Sequence, residues 1–242
     1  MRLAIPALML GLAVSAGVAQ AADSVSTTNV DIATLSAMEP IDMHVLSDTG
    51  STVSLSMSAL IPGAEYETMG GYYSPEINSW FNTASLQFNV RDGYRITALT
   101  IGAKVTGVLE VTPPPTDVTD LERPYATNAF YASWTVNGSP TRYGVGATDV
   151  DGSQAYSGTV PQWIAGQSVL EFSGYAGAEA MSYERLVCTD HCWYQQYPAF
   201  ASIRVSDVVM TVQIAAVPEP TTWMLLLGGL GVLGAAARRR NA

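Results

Sequence analysis

The chain has 242 residues, with 11 Lys and Arg against 21 Asp and Glu, for a formal charge of −10 at pH 7. So acidic a surface excludes a protein that holds nucleic acid or anionic lipid by charge. The length is enough for one domain with a sizeable core.

The first element is a secretory signal. Arg2 supplies a small positive region, Leu3 to Val18 an apolar one, and Ala19-Gln20-Ala21 the small-x-small pattern of a signal peptidase site, so residues 1–21 are expected to be removed before Ala22. A single arginine is too few for a twin-arginine signal, which predicts export of the unfolded chain. Arg2 and Arg238 to Arg240 lie in the terminal segments. The body, residues 22–216, therefore keeps 7 of the 11 basic residues and 20 of the 21 acids, near −13, with Lys104 as its only lysine.

Along the body the dominant period is two. Val53, Leu55, Met57 and Ala59 alternate with Thr52, Ser54, Ser56 and Ser58, and Leu86, Phe88 and Val90 alternate with Gln87, Asn89 and Arg91, the pattern of strands with one buried face. Asp92-Gly93 reads as a two-residue hairpin turn. The next strand starts with Tyr94 and Ile96 on one parity and continues with Leu99, Ile101, Ala103, Val105, Leu109 and Val111 on the other, which predicts a bulge or bend near Ala98. Phe130, Ala132, Trp134 and Val136 form another strand, closed by Asn137-Gly138. A second flip falls near Asp207, between Ile203/Val205 and Val208/Met210/Val212/Ile214. No stretch of the body keeps helical periodicity for three turns. These features predict an all-β fold, a single β-sandwich of jelly-roll-like type. Pro113-Pro114-Pro115 with Asp117, Asp120 and Glu122 is a linker-like stretch, read as a long loop in one sandwich, with two small domains as the alternative.

Few residues offer chemistry. Asp48-Thr49-Gly50 resembles one half of an aspartic-protease dyad, but that chemistry needs two carboxylates sharing a proton and no second such motif exists, so a turn is expected. Asp149-Val150-Asp151-Gly152 resembles half of a calcium loop without the further acids, leaving Asp149 and Asp151 as weak calcium candidates beside a hairpin turn. Cys188 and Cys192, the only cysteines of an exported chain, are expected to form a disulfide, with a free redox pair or a metal pair as alternatives. A zinc site needs about four ligands, and beyond His191 the only other histidine is His44, on the polar parity of its strand. Tyr72-Tyr73, Trp80, Trp163, Trp193 and Tyr194 are either core residues or, if exposed in loops, sugar-stacking platforms. There is no Gly-x-Ser-x-Gly, and twenty scattered carboxylates neither show nor exclude a glycosidase pair.

The tail, residues 217–242, is the most specific segment. Val217-Pro218-Glu219-Pro220 is held extended by its two prolines. Residues 221–237 are uncharged, and at about 1.5 Å per residue they span roughly 25 Å against a hydrocarbon core of about 30 Å, a short transmembrane helix. Arg238, Arg239 and Arg240 place the end on the cytoplasmic side.

Motif, apolar run, basic stop and terminal position together resemble the PEP-CTERM sorting signal of Gram-negative bacteria. The resemblance covers about 25 residues, and Asp-Gly-Tyr-Arg-Ile-Thr at 92–97 is weakly similar to segments in the bodies of such proteins. It implies recognition of Pro218, Glu219 and Pro220 by exosortase, a membrane-embedded cysteine protease-like transpeptidase, and association with exopolysaccharide, biofilm or floc. The expectation is an exported, non-enzymatic surface or matrix protein without a cofactor. It would cross the inner membrane, stay anchored as a precursor, and mature at the envelope or outside. A carbohydrate-binding module is the alternative and a secreted hydrolase the second.

Overall fold

The computed structural model describes residues 24–218, apart from 59, 62–64, 70, 73 and 115–122, together with 227, 228 and 230. The expected signal peptide, Glu219, Pro220, most of the apolar run and the three terminal arginines therefore lie outside the described residues.

In chain order the strands are β1 (Ser24–Ser26), β2 (Val30–Ala37), β3 (Asp42–Asp48), β4 (Thr52–Ser58), β5 (Glu65–Met69), β6 (Gly71–Tyr72) and β7 (Glu76–Val90). They continue as β8 (Tyr94–Val111), β9 (Tyr125–Val136), β10 (Tyr143–Thr148), β11 (Gly152–Ile164), β12 (Gln167–Cys188), β13 (Cys192–Tyr197) and β14 (Ala199–Ala216). One sheet has the order β1-β2-β7-β12-β9-β10, with β6 and β13 also on β12; the other has β11-β8-β14-β4-β3, with β5 also on β14. Among the described residues all pairs are antiparallel except β6 with β12. The pairs β9–β10, β8–β11 and β7–β12 are nested one inside the next and fall alternately in the two sheets, the order of one long hairpin rolled up.

The inner faces are the period-two residues. Val53, Leu55 and Met57 of β4, Leu86 and Phe88 of β7, Phe130 and Trp134 of β9, and Ile203, Val205, Met210 and Val212 of β14 are buried in a single core. The Trp134 ring reaches across to β11, where a Cβ on Gly158 would come within 2.8 Å of it. Strands on both sides of the triple-proline stretch pair with one another, so both halves of the chain build this core.

Both parity flips are bulges. β8 has Thr97 as an extra residue between the pairs Gln213↔Ala98 and Ile214↔Ile96, so burial passes from Ile96 to Leu99. β14 has Asp207 and Val208 opposite a single residue between Ser206↔Lys104 and Val209↔Gly102, and Asp207 takes a left-handed φ of 50°. The extra residue moves burial from Val205 to Val208.

Two turns differ from the sequence expectation. Arg91 to Tyr94 is a tight turn, closed by Tyr94 N–H donating to Arg91 O at 3.1 Å with Gly93 at φ 81°, but it carries the chain from one sheet to the other, and Tyr94 is exposed. Residues 149–152 likewise join β10 to β11 across the sandwich instead of closing a hairpin. A positive-φ turn reverses the chain in either case; which sheet the outgoing strand joins is decided by distant pairing.

The second crossing is held by Asn128, buried on the inner face of β9. Its Oδ1 accepts Val150 N–H at 2.7 Å, and its Nδ2 donates to Val150 O and to Ser202 O of β14, both at 2.8 Å. Gly107 of β8 leaves the space, because a Cβ there would overlap the Val150 carbonyl oxygen and lie 2.6 Å from Asn128 Nδ2. Replacing Asn128 by alanine strips a buried N–H and two buried carbonyls of a partner. Asn128→Ala is expected to lower the unfolding free energy by roughly 2–4 kcal/mol, measured by urea denaturation, against about 0.5 kcal/mol for an ordinary surface change.

Candidate functional site

The Val217-Pro218 segment begins where the central strand β14 ends. Val217 N–H donates to Gly93 O at 2.8 Å, extending the ladder one residue beyond Ala216↔Tyr94. Pro218 then has no N–H to offer, so the strand stops there. The junction leaves the body beside the Arg91–Tyr94 turn and Gly166, which with Val217 and Pro218 border a cleft of about 380 Å³. Val217 and Pro218 are thus seated on the sandwich with no linker before them, while Glu219, Pro220 and Arg238 to Arg240 fall outside the described residues. Leu227, Gly228 and Leu230 have helical backbone and are exposed, and no helix among the described residues is long and apolar enough to cross a membrane.

At the opposite pole, β12 runs past the sandwich and returns as β13. Cys188 and Cys192 are opposite one another in this ladder and joined by a disulfide around a three-residue loop. Tyr183 and Tyr197 stack at the base with centroids 6.1 Å apart, and Ser182 Oγ accepts Ala199 N–H at 3.0 Å. Leu186, Trp193 and Tyr194 are all about half or more exposed on this arm. Trp193 and Tyr194 are adjacent in a strand and so project to opposite faces. They form no continuous platform.

The remaining candidates lie in turns and strands of the body. The Asp48 carboxylate accepts Thr28 N–H, the Thr28 hydroxyl and Gly50 N–H, each at 2.8 Å, and Asn29 Nδ2 donates to Gly50 O at 2.7 Å. These bonds clip the segment before β2 to the β3–β4 turn. They hold the Asp48 pKa below its ordinary value, chiefly through the backbone donors Thr28 and Gly50. The Asp149 carboxylate accepts the Thr127 hydroxyl at 2.6 Å, and no group of three His, Cys, Asp or Glu is gathered for a metal among the described residues. His44 pairs with Asp42 at 3.2 Å on the exposed edge strand β3. Trp80 is half-buried against the core; Tyr73 lies outside the described residues, as do the side chains of Tyr72 and Trp163.

The aromatic residues that do come together are ones the sequence pattern does not mark. Phe81, Tyr175 and Tyr131 sit directly opposite one another on β7, β12 and β9, on the outer face of their sheet. Each belongs to a different strand and stands on the outer parity beside inward-facing aromatics such as Phe130 and Phe172, so nothing local marks the three as neighbours.

Residues 216–240 match the PEP-CTERM protein-sorting motif, beginning at the last residue of β14. The motif implies export and exosortase-mediated sorting to the envelope or exterior. No curated protein matches the chain.

Two outcomes follow from this geometry. Closing so small a loop restrains the unfolded chain by about 2 kcal/mol, and the arm stands outside the core. Denatured, unreduced protein should show no free thiol, and reduction should speed proteolysis within residues 183–197 while leaving the denaturant midpoint of the body nearly unchanged. Because the Asp48 pKa is depressed in the folded state, its contribution is present above the ordinary carboxylate range and is lost as pH falls below it. Asp48→Asn should cost roughly 1 kcal/mol at pH 7, a value discounted for exposure, and the difference from wild type should vanish in acid.

Proposed function

We propose that the protein is a non-enzymatic component of the extracellular polysaccharide matrix or cell surface of a Gram-negative bacterium, exported as a membrane-anchored precursor and cut by exosortase at the Pro-Glu-Pro junction. The sorting motif at 216–240 is the observation that carries this reading. In this reading Pro218, Glu219 and Pro220 are recognition residues, residues 221–237 hold the junction at the membrane, and Arg238 to Arg240 stop transfer. The absence of a linker is consistent with it, since Val217 is the last residue in the β14 ladder and the prolines begin at once.

Four of the body's twenty acids are engaged in a way that suits a structural role. Asp48, Asp149, Glu171 and Glu179 are each tied by a hydroxyl, from Thr28, Thr127, Thr135 and Tyr125 in turn. The Tyr125 hydroxyl, donating to Glu179, is pushed up to about 12 by that bond. A carbohydrate-binding module is the second reading, favoured by the exposed rings of Phe81 and Tyr131 on one sheet face.

C-terminal mass spectrometry tests the sorting reading. In cells that contain exosortase, the surface protein should lack Arg238 to Arg240. Joint replacement of Pro218 and Pro220 by alanine should leave export intact and accumulate the uncut form in the membrane. Wild-type surface protein ending in intact Asn241-Ala242 overturns it.

A further inference from the structure

The outer face of the β7–β12–β9–β10 region carries a row of aromatic side chains. Phe81, Tyr175 and Tyr131 are cross-strand neighbours, so their side chains form a row perpendicular to the strands that covers two strand spacings, about 10 Å. Phe81 and Tyr131 are each 48% exposed. The Tyr131 and Tyr175 ring centroids are 6.2 Å apart and their planes differ by 32°. Both tyrosines lie over glycines. A Cβ on Gly146 of β10 would come within 2.5 Å of the Tyr131 ring, and one on Gly177 of β12 would collide with the Tyr175 hydroxyl. The two tyrosine rings are therefore laid down along the sheet, Tyr131 half exposed and Tyr175, in the middle of the row, partly buried.

Polar groups border this row. Alongside the row Phe81, Thr83, Ser173, Glu171 and Arg142 line a groove of about 420 Å³; at its Tyr131 end, over β9 and β10, Tyr131, Ser133, Arg142, Gly144 and Gly146 line one of about 590 Å³. Arg142 belongs to both. Glu171 accepts the Thr135 hydroxyl at 3.2 Å and Glu179 is held by Tyr125, so the acids of this face are already engaged.

We propose that this face binds a neutral, pyranose-based polysaccharide laid across the strands, with its sugar rings on Phe81, Tyr175 and Tyr131. The proposal rests on the reading that the protein resides in a polysaccharide matrix, and it supplies the site. A pyranose presents an apolar C–H face and a rim of hydroxyls, which match the flat rings and the Ser/Thr borders at the same time. The charge of the body, near −13, opposes an anionic polymer, and a single arginine shared by two grooves is too little to draw in nucleic acid. A protein partner would call for a contiguous apolar core with a polar rim, whereas here the rings stand in single file with the hydroxyls of Thr83, Ser173 and Ser133 ranged beside them.

Affinity electrophoresis of the exported protein tests this, with hydroxyethylcellulose and glucomannan as neutral probes and alginate as the anionic one. Retardation by a neutral polymer is expected, weakened at least about tenfold in Phe81→Ala and in Tyr131→Ala, and unchanged in Tyr131→Phe and in Trp193→Ala on the distal arm. Among the described glycines none packs against Phe81, so its variant remains readable if Tyr131→Ala unfolds, which thermal unfolding reports. No retardation of the wild type by either neutral polymer, equal retardation of Phe81→Ala, or preferential retardation by alginate overturns the proposal. Fractionation of the producing cells separates it from the broader reading. If wild type and Phe81→Ala both stay with the matrix and migrate alike in the gels, the site is wrong and the matrix reading stands. If the wild type is absent from the matrix yet binds neutral polymer through Phe81, the site stands and the matrix reading falls.

Discussion

The register of β12 is the constraint on which the rest of the molecule depends. This strand is paired along most of its length with β7 on one side and β9 on the other, and its last turns form the disulfide-closed arm with β13. A slip of one residue against either neighbour would exchange inner and outer faces. It would turn Phe172, Ala176 and Ala178 out of the core and carry Tyr175 inward. The small residues of β12 answer to the same constraint. At Gly174 a Cβ would meet the Phe172 ring at 2.9 Å and Ile61 Cγ1 at 3.0 Å, so the segment around Leu60 and Ile61 can close over the strand only if that position is bare.

Rolling a nested hairpin into two sheets also demands that the chain leave one sheet and enter the other with its polar groups satisfied. The Asn128 amide meets that demand between β10 and β11 by serving both backbone groups of Val150. Its third bond, to Ser202 O, ties the crossing to β14. At the other pole Asp48 works at the surface, joining the residues before β2 to a turn of the opposite sheet. The buried bridge and the exposed one differ in kind. Loss of Asn128 leaves polar groups stranded in the core, whereas water replaces the bonds of Asp48.

Local pattern carried much of this fold. Alternation marks which residues of β4, β7, β9 and β14 face inward, and the two parity changes locate bulges at Thr97 and Asp207, because an inserted residue must shift the period of burial. Partner choice was not readable in the same way. Asp92-Gly93 has the chemistry of a hairpin turn, yet its strands separate to different sheets, and nothing within four residues distinguishes the two outcomes. Side-by-side aromatics such as Trp193-Tyr194 attract notice in a sequence, but in a strand they point to opposite faces. Phe81, Tyr131 and Tyr175 are some fifty residues apart in steps, and only the pairing of three strands makes them neighbours.

The two ends of the body are mechanically distinct. β14 runs from the base of the distal arm, where Ala199 bonds to Ser182, to the junction, where Val217 bonds to Gly93. It lies between β8 and β4 in its sheet. Antiparallel ladder bonds are perpendicular to their strands, so a pull on the tail along β14 loads many of them together in shear instead of opening them one at a time. The chain therefore presents its tail through a strand paired on both sides, which resists extraction. The aromatic row, being perpendicular to the strands of its own sheet, lies across the long direction of that body, leaving its face open along the flank while the junction occupies one pole and the clamped arm the other.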